Sequence, residues 1–155
     1  VWSLAPHEGP ARALVAALKF RAQLPIASLA AVRMAALAPP PILVGRSVVP
    51  VPAAPSRRRS RGFDPAARIA CEFAKQADLP LSACLRREGG PRQVGRPRAE
   101  RLADPPRVRA AGAVPPSAVL VDDVMTTGAT LGACAAALRV AGADGVTAVT
   151  FARTP

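Results

Sequence analysis

The chain has 155 residues, enough for one domain with one buried core. Half of its residues are hydrophobic and 20% are charged, which excludes a disordered chain. Cys71, Cys84 and Cys134 are scattered and form no CxxC, and His7 is the single histidine, which excludes a disulfide scaffold, a standard zinc ribbon and a His-rich metal site. Lys and Arg number 21 against 10 Asp and Glu, a formal charge of +11, and only Lys19 and Lys75 are lysines. Charge carried almost wholly by arginine forks suits an anionic partner, a nucleic acid or a phosphorylated small molecule, although GC-rich coding produces the same bias. No apolar run reaches the roughly 18 residues of a membrane span.

In chain order, residues 1–20 lack a secretory pattern, because His7, Glu8, Gly9 and Pro10 interrupt any apolar stretch, and the protein is expected to be cytoplasmic. Residues 10–19 predict a short helix with Leu14, Val15 and Leu18 on one face; Lys19 falls at its end, favourably placed for the helix dipole. Residues 25–37 predict a second helix, opened by Pro25 and stopped before the Pro39-Pro40-Pro41 run. Residues 47–51 predict a short strand, and residues 53–62 a loop loaded with Arg57, Arg58, Arg59 and Arg61. Asp64 reads as an N-cap with Pro65 in the first turn of a helix reaching about residue 77. Residues 81–85 predict a strand. Residues 86–109, rich in Arg, Gly and Pro, read as a long loop with one short helix near 97–103. Residues 118–121 form a continuous apolar run, as for a strand buried on both faces of a parallel sheet. A helix over 130–140, closed by Gly142, and a strand over 146–152 complete a βαβ unit. All three cysteines are expected in the interior and His7 on the surface. With 3% aromatic residues and no Tyr, stacking platforms for single-stranded nucleic acid look poor.

The segment with chemistry is Val119-Leu120-Val121-Asp122-Asp123-Val124-Met125-Thr126-Thr127-Gly128-Ala129-Thr130. A buried strand delivers two adjacent carboxylates to its carboxyl end, where open α/β sheets bind ligands. A hydroxyl-rich turn with one glycine then opens a helix, and its amides form an anion site. Carboxylates beside a phosphate cradle match a ligand with a phosphate at one end and sugar hydroxyls or a metal ion in the middle.

This segment resembles the phosphoribosyl pyrophosphate (PRPP) signature of type I phosphoribosyltransferases. The resemblance implies that Asp122 and Asp123 hold the ribose hydroxyls and that Thr126, Thr127, Gly128, Ala129 and Thr130 hold the 5′-phosphate. A second stretch, Val48-Val49-Pro50-Val51-Pro52 followed by Arg61-Gly62-Phe63-Asp64, is similar to the VPVP…RGFNQ pattern of the ComF family of competence-associated, phosphoribosyltransferase-like proteins. Residues 9–21 resemble that family's GxLRxLIxxLKYRG stretch, and Pro91-Arg92-Gln93-Val94-Gly95 with Arg98 and Arg101 its PQxGLxxxxR segment, so the resemblance covers nearly the whole chain. Asp64-Pro65 departs from the family's Asn-Gln, and the four-cysteine N-terminal zinc module common in the family is absent, through truncation or because this member lacks it. Purine-salvage relatives often carry an Asp where this chain has Thr126, which argues against a hypoxanthine–guanine type of enzyme.

The resemblance implies a single α/β domain over residues 1–155, phosphoribosyltransferase-like, with a mostly parallel sheet flanked by helices. It puts the pyrophosphate site in the loop after Val51, with Ala53, Arg57, Arg58, Arg59 and Arg61 as candidates. Residues 86–104 take the place of a mobile hood, with Arg92 and Arg98 reaching phosphate. Mg²⁺ would arrive with PRPP, with no side-chain metal ligand assigned. The expected activity is phosphoribosyl transfer to an unidentified nitrogenous base with release of pyrophosphate. The alternative is a competence-associated protein that handles DNA on the same fold without turnover, partnered by DNA or the competence machinery. Either reading accommodates an oligomer.

Overall fold

The computed structural model describes residues 1–89 and 106–155. Its centre is a four-stranded parallel sheet in the order β1-β6-β5-β2, formed by β1 (Trp2–Pro6), β2 (Ser47–Pro50), β5 (Ser117–Met125) and β6 (Gly145–Arg153). A second, antiparallel pair joins β3 (Leu85–Arg87) to β4 (Val108–Ala110). The fold is therefore α/β with a mostly parallel sheet flanked by helices, as expected.

Helices α1 (Gly9–Arg21), α2 (Pro25–Leu37) and α4 (Pro65–Gln76) cover one face. Val15, Leu18, Met34, Ile69 and Phe73 pack there on Val48, Val119, Val121 and Val149. Small residues on α2, with Ala27, Ala30 and Ala31 all buried, let that helix approach closely. Helix α5 (Ala129–Val140) and the β3–β4 pair cover the other face, where Leu131, Cys134, Leu138 and Leu85 meet Val49, Ala118, Leu120 and Ala148. Strand side chains alternate between faces, so along residues 118–121 of β5 Val119 and Val121 enter the first core and Ala118 and Leu120 the second. Residues 118–121 are buried without exception, which is why this strand reads as an unbroken apolar run.

Four local expectations change. Residues 2–6, assigned to no element from sequence, form the edge strand β1, tied to β6 by parallel pairing and by a 2.7 Å bond between Ser3 Oγ and Thr150 Oγ1. The arginine loop is largely a seven-residue helix, α3 (Pro55–Arg61), started by Pro55 and stopped by Gly62 at φ +75°. The strand expected over 81–85 reduces to one parallel bridge, Leu81 to Val48, and regular pairing begins only at Leu85. The ends of the expected long loop are the strands β3 and β4, while the short helix near 97–103 falls outside the described residues. No helix among the described residues is long and apolar enough to cross a membrane.

Candidate functional site

All four strands of the parallel sheet run the same way, so their carboxyl ends share one edge. β5 brings Asp122 and Asp123 to that edge. Adjacent strand residues point to opposite faces, so the two carboxylates face different surroundings.

Asp123 turns to the α1 side and is 7% exposed. Its Oδ1 lies 2.8 Å from Lys19 Nζ, in the last turn of α1. Asp122 turns to the α5 side and is half-buried. Its Oδ1 accepts the Asp123 amide at 2.8 Å. Burial pushes the Asp122 carboxyl well above the usual carboxylate range, and the charge of Asp123 adds to this; the Asp123 amide and Lys19 oppose the shift, and Asp64 reinforces it. The pair is thus chemically unequal: Asp123 is paired with a cation, and Asp122 holds its neighbour's amide.

Arg87, half-buried on β3, lies within electrostatic reach of Asp122. It shares a strand face with buried Leu85, whereas Arg86 between them is exposed. Burial lowers the Arg87 pKa, Arg57 on α3 lowers it further, and Cys134 and Asp122 oppose the shift. Arg57 is exposed on α3, and its charge reaches Arg87. Cys134 lies beneath this group on α5, fully buried, and burial with the nearby Asp122 charge pushes its thiol up to about 12. Such a thiol is not a nucleophile at neutral pH.

After β5, Thr126 is exposed and Thr127, Gly128, Ala129 and Thr130 are partly exposed. Gly128 takes φ +77°, a left-handed conformation that suits glycine, and so turns the chain into α5. Thr127 Oγ1 accepts the Ala129 amide at 3.3 Å. The first-turn amides of α5 have no intrahelical partner and point out of the helix end beside the acidic pair.

The β2 side completes the edge. Val51 still donates to Val121 O at 3.0 Å, and the chain then leaves the sheet. The Ala53 amide donates to Asp64 Oδ2 at 2.9 Å, while Asp64 Oδ1 accepts the Ala66 and Ala67 amides as the α4 N-cap, as its sequence position predicted. Arg57, Arg58 and Arg59 are exposed on α3, and Arg61 lies over the Phe20 ring at 5.3 Å from its centroid. Phe20 itself is 76% exposed. Arg92 and Arg98 lie outside the described residues.

His7 is half-buried rather than on the open surface. It follows β1 at the same sheet edge, its amide donates to Arg153 O at 2.7 Å, and its Nδ1 is buried without a partner among the described residues. Burial, Lys19 and Arg12 lower its pKa, and Asp123 opposes them. Sequence reasoning missed His7, the Lys19–Asp123 pair, the reach of Arg87 and the Ala53–Asp64 bond. Asp64 carried a usable signal as a cap candidate, and Lys19 one as the cation at the end of α1, although neither signal named its partner at the site.

Among the described residues, no three His, Cys, Asp or Glu gather as a metal cage. A cavity of about 450 Å³ opens beside the start of β2, away from the acidic pair. Its lining, which includes Ala35, Ala38, Pro40, Leu43, Ala77 and Leu79, brings no titratable group.

No protein-family model matches the chain, and no curated protein matches it.

Proposed function

We propose that the chain binds PRPP with Mg²⁺ and transfers its phosphoribosyl group to a nitrogenous base, as a phosphoribosyltransferase of the type that the ComF-like segments suggest. The observation that carries this reading is the acidic pair at the end of the central parallel strand, followed at once by a glycine-turned helix start. That arrangement suits a ribose whose 5′-phosphate lies on the helix amides.

In this reading Asp122 and Asp123 accept hydrogen bonds from the ribose hydroxyls. As the bond from C1′ to the pyrophosphate oxygen breaks, positive charge develops on the ribose ring and both carboxylates offset it. The bonding electron pair leaves with pyrophosphate, and the incoming base nitrogen forms the new bond to C1′. Residues 126–130 anchor the 5′-phosphate through main-chain amides and threonine hydroxyls. Arg57 and Arg87 face the departing pyrophosphate, with Arg58, Arg59 and Arg61 supplying longer-range attraction. Lys19, paired with Asp123 at 2.8 Å, orients that carboxylate. The donor set fits Mg²⁺ as a cation delivered by its ligand, because Asp122 offers carboxylate oxygen and Mg²⁺ commonly takes one or two carboxylates alongside substrate phosphates and water. Once bound, it would neutralise charge on the pyrophosphate.

The test is phosphorus NMR of PRPP incubated with the protein, Mg²⁺ and single nitrogenous bases. Appearance of free pyrophosphate that requires one particular base supports transfer. Intact PRPP with every base contradicts it.

A second reading, a nucleic-acid-handling protein without turnover, is favoured by the exposed arginines of α3 and by the exposed Phe20 ring stacked under Arg61. Steep loss of single-stranded DNA binding between low and physiological salt supports it, since each neutralised phosphate releases counterions.

A further inference from the structure

We propose that Asp64 is a gate on the loop after β2: its carboxylate holds the Ala53 amide in a closed bond that an incoming phosphate must displace. The inference rests on the PRPP reading for the identity of that phosphate and makes Asp64 a determinant of pyrophosphate affinity.

The geometry is specific to a carboxylate. Asp64 Oδ1 accepts the Ala66 and Ala67 amides at 3.1 and 3.3 Å, and Oδ2 accepts the Ala53 amide at 2.9 Å. One side chain thus caps α4 and also pins the exit of β2, with α3 and its arginines bracketed between. An asparagine has one acceptor oxygen and one donor nitrogen. It can cap the helix or accept from Ala53, but it cannot do both.

Position gives the bond its consequence. The Val51 amide is still used by the sheet, in its bond to Val121 O. Pro52 has no amide hydrogen. Ala53 is therefore the first donor past the sheet, at the edge that carries Asp122, and the next turn brings Arg57. A phosphate oxygen arriving there needs that amide and finds it bound to a resident anion. The Asp64 charge also extends to Asp122, where it opposes ionisation. Removing that charge while keeping the cap should open the amide and lower the repulsion felt by a ligand anion.

The test compares wild type with Asp64→Asn. Without ligand, amide exchange read by NMR should show Ala53 protected in wild type and about tenfold faster in the variant, whose α4 amides stay protected. In calorimetry with inorganic pyrophosphate and Mg²⁺, the variant should bind about tenfold more tightly, the order expected from one charge-assisted hydrogen bond released to the ligand. Asp64→Ala controls for structure, since it loses the cap and should melt lower, whereas Asn caps about as well as Asp. Equal Ala53 exchange in wild type and Asp64→Asn overturns the gate. Unchanged or weaker pyrophosphate binding by a folded Asp64→Asn protein overturns it too, and weaker binding would make Asp64 a builder of the site. Failure of wild type and variant alike to bind either PRPP or pyrophosphate, with Ala53 exchange still faster in the variant, overturns the PRPP reading and with it the gate's role toward phosphate.

Discussion

Replacing Lys19 by Met removes the cation 2.8 Å from Asp123 and leaves that carboxylate beside Asp122. Only 20% of the Lys19 side chain and 10% of the Asp123 side chain are exposed. Removing one partner of a fully buried pair costs about 3–5 kcal/mol, and a surface pair contributes about 0–1 kcal/mol. With Lys19 one-fifth exposed, the loss falls between these limits, at about 2 kcal/mol. For a chain of this size that lowers Tm by roughly 4–8 °C. Urea unfolding of wild type, Lys19→Met, Asp123→Asn and the double variant isolates the pair as a thermodynamic cycle. The expected coupling is about 1–2 kcal/mol, with the double variant more stable than the sum of the single losses predicts. Single effects that add to within about 0.5 kcal/mol would refute the reasoning, because the pair would then contribute nothing beyond its separate side chains.

Other outcomes follow from the same geometry. The folded-state pKa of Asp122 lies above its unfolded value, so folding takes up protons between the two. The stability carried by the protonated carboxyl is complete below the unfolded value near 4 and is lost as pH rises through the folded one. Urea midpoints should therefore rise from neutral pH toward mildly acidic pH in wild type, and Asp122→Asn should flatten that trend and be at least as stable at pH 7; identical pH profiles would contradict this. Native protein at pH 8 should react with a thiol reagent at Cys71 alone, since Cys84 and Cys134 are buried, and all three thiols should react in denaturant. Rapid labelling of Cys134 in the folded chain would show that α5 does not seal it. Arg87→Met should leave stability near wild type, because it removes a half-buried charge with no ion pair among the described residues, yet weaken pyrophosphate binding about tenfold. Calorimetry reads that loss, and unchanged affinity would remove Arg87 from the site.

The legible parts of the fold were those written in local periodicity. The run before Asp122, the alanine-rich helix after Gly128 and the proline-bounded α2 could be read without tertiary information. β1 could not, because its partner β6 lies at the other end of the chain, as the 147-residue separation of Ser3 and Thr150 shows. α3 carried adequate punctuation, with Pro55 at its start and Gly62 at its end, but a run of like charges hid it. β3 alternates Leu85, Arg86 and Arg87, a pattern that acquires meaning only when β4 pairs with it and α5 covers one face. In the site, the acidic pair and its loop stood out because adjacent residues carry them. Lys19, His7 and Arg87 reach the same edge from separate elements, and the Ala53–Asp64 bond spans a whole helix. Such convergence is set by how the helices lie on the sheet, which local sequence does not encode.

Asp122, at the end of β5, is the residue proposed to hold the ribose of a phosphoribosyl ligand. Calorimetric titration of PRPP into wild type and Asp122→Asn, each with and without Mg²⁺, tests that role most directly. Saturable binding by wild type that strengthens with Mg²⁺ and disappears in a folded Asp122→Asn protein is the predicted result. Absence of binding at millimolar PRPP, or equal binding by the two proteins, would contradict it.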